Sequence, residues 1–129
     1  MIAIDTNILL RHLVEPESAQ GLLATELLER TISRDNPGFI GIVVLVEIIW
    51  LLQSRYHVTL PEMRSAVAEL ISLPQWVVEH EAAVRAALRS SRDDIADLLV
   101  HEIGRQAGCA KTITFDNKFA RLEGVELLA

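Results

Sequence analysis

The chain has 129 residues, of which 50% are hydrophobic and 23% charged, with a formal net charge of −6. This balance is typical of a folded globular protein and excludes a largely disordered chain; the length predicts a single domain over 1–129. The excess of acids argues against a protein that binds nucleic acid through a basic surface alone.

The cellular setting is predicted from what the apolar segments and the cysteine allow. The most apolar stretch, 39–52, is too short to span a bilayer and contains Glu47. No signal-peptide pattern opens the sequence, and the single cysteine, Cys109, can form no internal disulfide. We therefore expect a cytoplasmic protein without a membrane partner.

Short strands and helices alternate along the chain. In order, the predicted elements are a strand at 1–4, a helix from a cap at Thr6 or Asn7 to about Leu13, a helix at about 18–32, a strand at 39–42, a helix at about 43–55, a helix opened by Thr59 and ended by Pro74, a strand at 76–78, helices at about 81–90 and 95–107, a strand at 111–115, a short helix at 117–122 and a strand at 125–128. This alternation predicts an α/β fold, in which a small parallel sheet is flanked by helices on both faces.

Two acids follow predicted strands directly. Asp5 comes after the strand at 1–4, and Asp116 after the strand at 111–115. Because ligands of parallel sheets bind outside the carboxyl ends of the strands, both are candidate site residues. Taken singly, each is equally well explained as a turn residue before a helix.

Glu47 lies in a helix that is apolar almost all round, between Val46 and Ile48. An ionised carboxylate buried there needs a cation, a metal or a strong hydrogen-bond donor, or it stays protonated. The alternative is that Glu47 occupies the one exposed stripe of the helix. In the same helix, Trp50 is expected to pack in the core, although an exposed tryptophan can stack on nucleic-acid bases.

Asp94 and Asp97 stand three residues apart at the start of the helix predicted at 95–107, so both point to one side of its first turns. Negative charge is favoured at a helix N-terminus, and Asp94 is expected to act as a cap. Asp97 lies inside the helix and is harder to explain in that way. If Asp5, Glu47, Asp97 and Asp116 meet at one sheet edge, their charges repel each other unless cations neutralise them. A site made only of oxygen ligands favours Mg²⁺ or Mn²⁺ over zinc.

Four segments of the sequence together resemble the acidic motifs of the PIN-domain family. They are Ile4-Asp5-Thr6-Asn7, Val43-Val44-Leu45-Val46-Glu47, Asp94-Ile95-Ala96-Asp97 and Thr112-Ile113-Thr114-Phe115-Asp116. The match covers essentially the whole chain. The run Arg11-His12-Leu13 and the Gly108-Cys109 pair are similar to those of bacterial VapC toxins. The resemblance implies a PIN-like three-layer α/β/α fold.

For function, the resemblance implies a Mg²⁺- or Mn²⁺-dependent endoribonuclease, the toxin of a VapBC-type toxin–antitoxin module. Its catalytic, metal-binding acids would be Asp5, Glu47, Asp97 and Asp116, with Asp94 as a plausible fifth ligand. Asn7 and Thr114 would support them, while Arg11, Arg92 and Lys118, close in sequence to the motifs, are weak candidates for binding RNA. A cognate VapB-type antitoxin and a homodimer are the expected partners.

One position departs from the family pattern. Gly41 stands where the family often carries a serine, so the hydrogen bond of that serine is missing or is made by another group. His101, four residues after Asp97, is either a supporting partner of that acid or an ordinary, partly exposed helix histidine.

Three other classes of protein are weighed against this hypothesis. An aspartate-nucleophile phosphatase needs a second aspartate two positions after the first, and that position is Asn7. A phospho-receiver domain needs paired acids after the first strand, whereas this chain has Asp5 alone. The third alternative is a PIN-like scaffold that binds RNA or protein without catalysis. The presence of all four acids argues against it.

Overall fold

The computed structural model describes residues 1–128, which form five short strands and six α-helices. The elements, in chain order, are β1 (Ile2–Ala3), α1 (Thr6–Val14), α2 (Ala19–Glu26), a π-helical turn (Leu27–Thr31), β2 (Gly38–Ile40), α3 (Ile42–Ser54), α4 (Leu60–Ser72), β3 (Trp76–Val78), α5 (Glu81–Arg89), α6 (Ile95–Gln106), β4 (Thr112–Thr114), a 3-10 turn (Phe119–Arg121) and β5 (Val125–Leu127). The chain divides into two compact units, Met1–Glu79 and His80–Ala129.

The first unit is built on a parallel sheet with the strand order β1–β2–β3. Its helices α1 and α3 begin directly after β1 and β2, and they pack against each other. The largest fully buried side chains of this unit lie on its helices and central strand: Leu9, Ile40, Leu45, Ile48, Leu52, Met63 and Val67. This core fixes the sheet edge from which α1 and α3 start.

Close packing between β2 and β3 depends on Gly38. Gly38 is paired with Trp76 across the sheet, and a Cβ at this glycine would lie 2.3 Å from Cζ3 of the Trp76 ring. No ordinary side chain tolerates that distance, so a glycine is required for the ring to cover the strand. Trp76 itself is 8% exposed, so its ring packs in the core.

The second unit joins a helix pair to a two-stranded sheet. Helices α5 and α6 pack together, and β4 pairs in parallel with β5. His101 of α6 is 7% exposed, and its Nδ1 lies 2.8 Å from Oγ1 of Thr112 in β4. The helix is thereby bonded to the strand that leads to Asp116. His101 is therefore buried and hydrogen-bonded, not partly exposed.

The predicted alternation of strands and helices with parallel pairing is confirmed. Two expectations are wrong in detail: within residues 1–128 the strands form two separate sheets, not one, and the helix predicted at 18–32 ends at Glu26 and continues as the π-helical turn. Asp5, one residue before the predicted caps, is the N-cap of α1. In the described part of the chain, no helix is long and apolar enough to cross a membrane.

Candidate active site

Asp5 lies at the carboxyl end of β1, as the sequence predicts. The ladder with β2 extends through Ile4, whose N–H donates to the Phe39 carbonyl at 3.1 Å. Asp5 is exposed, and its Oδ1 accepts a hydrogen bond of 2.8 Å from the N–H of Thr6. That bond orients the carboxylate at the start of α1 and leaves its second oxygen open to solvent or to a ligand.

Glu47 is exposed, not buried. It shares one face of α3 with Val43 and Trp50, which are 76% and 65% exposed, while Ile48 and Ile49 are buried. The exposed-stripe interpretation of Glu47 is therefore correct, and its carboxylate is exposed to solvent and has no hydrogen-bond or ion-pair partner among residues 1–128. The expectation that Trp50 packs in the core is wrong.

Asp116 lies two residues beyond β4 and is held in a tight local turn. Its Oδ1 accepts from the N–H groups of Lys118 at 2.8 Å and Phe119 at 3.2 Å. Its own N–H donates to Oγ1 of Thr114 at 3.0 Å. Thr114 thus supports the backbone at Asp116, and the second carboxylate oxygen of this exposed residue accepts no hydrogen bond from residues 1–128.

Asp97 lies in the first turn of α6, and its pKa is shifted in the direction opposite to that of Asp94. Its pKa is raised above the ordinary value, first by burial and then by the negative charges of Asp94 and Asp116. Its carboxylate accepts no hydrogen bond and forms no ion pair within the described residues. A raised pKa of this origin marks a position where an added cation would be favourable.

Asp94 differs from Asp97 in having a strong partner. Both of its carboxylate oxygens accept from the Arg92 guanidinium, at 2.9 Å from Nε and 2.7 Å from Nη2. This bidentate pair lowers the pKa of Asp94. Asp94 occupies the N-cap position of α6, but its side chain makes no capping hydrogen bond. The expectation that its carboxylate caps the helix is therefore wrong.

The same arginine also fixes the turn after β4. Arg92 Nη2 donates to the Lys118 carbonyl at 2.9 Å, and Lys118 forms an ion pair with Asp93. The segment before α6 is thereby bonded to the turn that holds Asp116, and the Arg92 side chain is 21% exposed. Nothing in the sequence pattern predicts this connection, because its partners are 26 residues apart.

The three basic residues suggested for RNA binding each have an acidic partner. Arg11 pairs with Glu15 on α1, Arg92 with Asp94 and Lys118 with Asp93. Phosphate groups would therefore have to compete with these carboxylates. Asn7 is exposed on α1 and lines a groove between α1 and α2 together with Ile8 and Leu23.

The structure distributes the predicted acids over the two units. Asp5 and Glu47 belong to the first, and Asp94, Asp97 and Asp116 to the second. Across residues 1–128, no group of three or more His, Cys, Asp or Glu side chains is placed so that it could hold a metal ion. The donor chemistry nevertheless fits a hard divalent cation, because the open ligands are carboxylate oxygens. Asp97, which bonds no cation itself among the described residues, is also raised in pKa by the charges of Asp94 and Asp116.

The residue most clearly missed by the sequence analysis is Glu79. It directly follows β3, which is the pattern that selected Asp5 and Asp116, and its Oε1 accepts from the N–H of Ile42 at 2.9 Å. The carboxyl end of the three-stranded sheet therefore carries an acid after β1 and another after β3, on either side of the start of α3. The rule that places sites at strand ends could have found it.

Comparison with known families identifies the fold. The PIN domain family matches residues 2–125, so the chain belongs to this family. The match spans nearly all of the sequence and includes all four predicted acidic motifs; it confirms the PIN-like α/β fold class. No curated protein matches the chain at significant similarity. PIN domains are in general metal-dependent nucleases, so the family indicates nuclease chemistry on a nucleic acid.

Proposed function

We propose that the protein is a Mg²⁺- or Mn²⁺-dependent endoribonuclease and the toxin of a VapBC-type module. The observation that carries the proposal is the PIN domain match over residues 2–125, with an acid at each of the four motif positions. The presence of all four acids argues against a PIN scaffold that has lost catalysis. We further propose that both units belong to one PIN domain, since the family match extends over both.

Four acids are proposed to hold the metal: Asp5, Glu47, Asp97 and Asp116. Each has at least one carboxylate oxygen that no donor of the described protein occupies. Asp94 is not proposed as a ligand, because Arg92 already donates hydrogen bonds to both of its carboxylate oxygens. Thr114 and Asn7 are proposed to support the site, Thr114 through its bond to the Asp116 N–H.

The chain's residues prepare the site by orientation and by charge. Asp5 and Asp116 are held by backbone N–H donors, and Asp97 is held by the first turn of α6. A phosphodiester cannot approach these acids unless their charge is neutralised. When bound, Mg²⁺ or Mn²⁺ would supply that neutralisation, together with Lewis acidity toward the phosphate and a lowered pKa for the attacking water. Hydrolysis by water predicts a 5′-phosphate and a 3′-hydroxyl on the products.

The experiment that tests the function incubates the purified protein with total RNA at a series of Mg²⁺ and Mn²⁺ concentrations. Mapping the ends of the fragments should give discrete internal cuts with 5′-phosphates, and chelation by EDTA should stop them. Binding of RNA without cleavage under every metal condition would instead support the non-catalytic binding module. Products with 2′,3′-cyclic phosphates would contradict attack by water.

The proposed partners are a cognate VapB-type antitoxin and a second copy of the chain. Support comes from the exposed acids Asp5, Glu47 and Asp116, which an antitoxin arginine could neutralise, and from exposed apolar side chains such as Leu23, 68% exposed, beside the α1–α2 groove. We expect a dimer in sedimentation at micromolar concentration and growth arrest on expression without the antitoxin. A strictly monomeric, harmless protein would count against both partners.

A further inference from the structure

Helix α3, which carries Glu47, begins without a cap from its own sequence. Its N-cap residue is Gly41, with φ −73° and ψ 154°, so no side chain is present to accept from the first-turn N–H groups. The N–H of Ile42 donates instead to Oε1 of Glu79 at 2.9 Å. A residue 37 positions away along the chain therefore accepts from the first N–H of the helix, whereas a serine or aspartate at the N-cap would accept from the second or third.

The backbone holds Glu79 in place for this role. The N–H of Glu79 donates to the Ile40 carbonyl at 2.9 Å, which extends the parallel pairing of β2 and β3 by one residue beyond Val78. Glu79 therefore leaves the sheet beside the point where β2 turns into α3. Its negative charge is also favourable at the positive end of the helix dipole.

We propose that Glu79 is the positioning residue of the catalytic glutamate: it replaces a capping side chain at Gly41 and thereby fixes the start of α3, on which Glu47 lies five residues after Ile42. The catalytic part of this inference rests on the proposed ribonuclease function. The capping part does not, because it concerns a hydrogen bond within the first unit. Glu79 is not one of the metal-binding acids.

The space around Gly41 allows a direct test of the replacement. A Cβ built there would meet Phe39 Cε1 at 3.6 Å and Glu79 Oε1 at 3.9 Å, both ordinary contact distances. The φ of −73° suits any L-residue, and the conformation is that of an N-cap. A serine at position 41 should therefore fit without strain and offer its hydroxyl to the first turn of α3.

The experiment uses the full chain and four variants: Glu79→Ala, Glu79→Gln, Gly41→Ser and the double variant Glu79→Ala with Gly41→Ser. Glu69→Ala, an exposed glutamate on α4, is the matched control. Thermal melting without metal and RNA cleavage with Mg²⁺ or Mn²⁺ are measured for each. We expect Glu79→Ala to melt several degrees lower and to cleave about tenfold more slowly, as for other residues that orient a metal ligand.

Rescue distinguishes capping from metal binding. Glu79→Gln should stay near wild type in both measurements, because its amide oxygen accepts the same hydrogen bond, and Gly41→Ser should restore both the melting temperature and the cleavage rate of Glu79→Ala. Loss of cleavage in Glu79→Gln with normal melting would overturn the proposal and make Glu79 a ligand. A melting temperature of Glu79→Ala equal to that of the wild type would overturn the cap. If the wild type cleaves no RNA, the ribonuclease proposal fails, while melting still decides the capping bond.

Discussion

Replacement of Asp97 with Asn is expected to reduce RNA cleavage by at least about 100-fold while leaving the metal-free protein as stable as the wild type or more stable. The amide keeps the shape of the side chain but removes the charge that would hold a divalent cation. It also removes a carboxylate whose pKa is raised by burial and by the charges of Asp94 and Asp116. Cleavage assays and thermal melts of the same preparations measure the two effects.

The raised pKa of Asp97 determines at which pH Asp97→Asn should be more stable than the wild type. A carboxyl group with a raised pKa in the folded state is harder to ionise there than in the unfolded chain. The ordinary pKa of an aspartate carboxyl is 3.8. Ionising Asp97 therefore lowers the free energy of unfolding. This destabilisation is absent at a pH below the ordinary pKa, develops as pH rises toward the raised pKa and is complete above it. The advantage of Asp97→Asn in melting temperature should therefore be present at neutral pH and vanish in acid.

Asp94→Asn is the matched control, because it removes a charge three residues away in the opposite environment. The pKa of Asp94 is lowered by its hydrogen bonds to Arg92, so its ionised form stabilises the fold above the ordinary carboxyl pKa, and this contribution is lost as pH falls through the lowered value. Asp94→Asn should lower the melting temperature at neutral pH. Cleavage by Asp97→Asn at the wild-type rate under limiting Mg²⁺ would remove Asp97 from the active site.

Local features of the fold could be predicted because local chemistry determines them. Thr59 accepts from the N–H of Glu62 at 3.3 Å and caps the start of α4. Gly108, two residues after the end of α6, adopts the left-handed conformation with φ 97°, which terminates helices. Strand partners could not be predicted in the same way. The patterns at 112–114 and 125–127 indicate strands, but which sheet they join depends on packing between distant segments.

The candidate site shows the same division. Its proposed acids were selected from their places after strands and within helices, whereas the hydrogen-bond partners seen around them could not be predicted. The bond from Arg92 to the turn at Lys118 and the bond from Glu79 to Ile42 each join segments more than 20 residues apart. Asp94 was expected to cap α6 because helix starts favour aspartate, but a guanidinium two residues earlier competes successfully for both oxygens.

The sequence leaves the environment of Glu47 open for a different physical reason. A helix that is apolar all round does not reveal which stripe faces solvent, since periodicity gives no contrast between its faces. In the structure that stripe runs through Val43, Glu47 and Trp50. Because Trp50 is exposed three residues from the proposed catalytic glutamate, its ring is better placed to stack on a nucleic-acid base than to pack in the core.

Glu47→Gln is expected to lose metal binding and RNA cleavage without losing stability. Because Glu47 is exposed and accepts no hydrogen bond from the described protein, the neutral amide leaves no cavity and no unpaired buried group. Its metal-free melting temperature should match that of the wild type, since exposed substitutions usually change the free energy of unfolding by no more than about 0.5 kcal/mol. Glu69→Gln, exposed on α4, is the control for loss of a glutamate charge.

Addition of metal should reveal a difference in stability between the wild type and Glu47→Gln. A ligand that binds only the folded state raises the free energy of unfolding by about 2.7 kcal/mol at one hundred times its dissociation constant. Wild type and Glu69→Gln should show this rise with Mg²⁺ or Mn²⁺, and Glu47→Gln should show little of it at the same concentration. Binding should weaken as pH falls in every variant, because carboxylate ligands must be ionised. If Glu47→Gln gains as much stability from the metal as the wild type, Glu47 is not a ligand, and the four-acid site loses the member that α3 contributes.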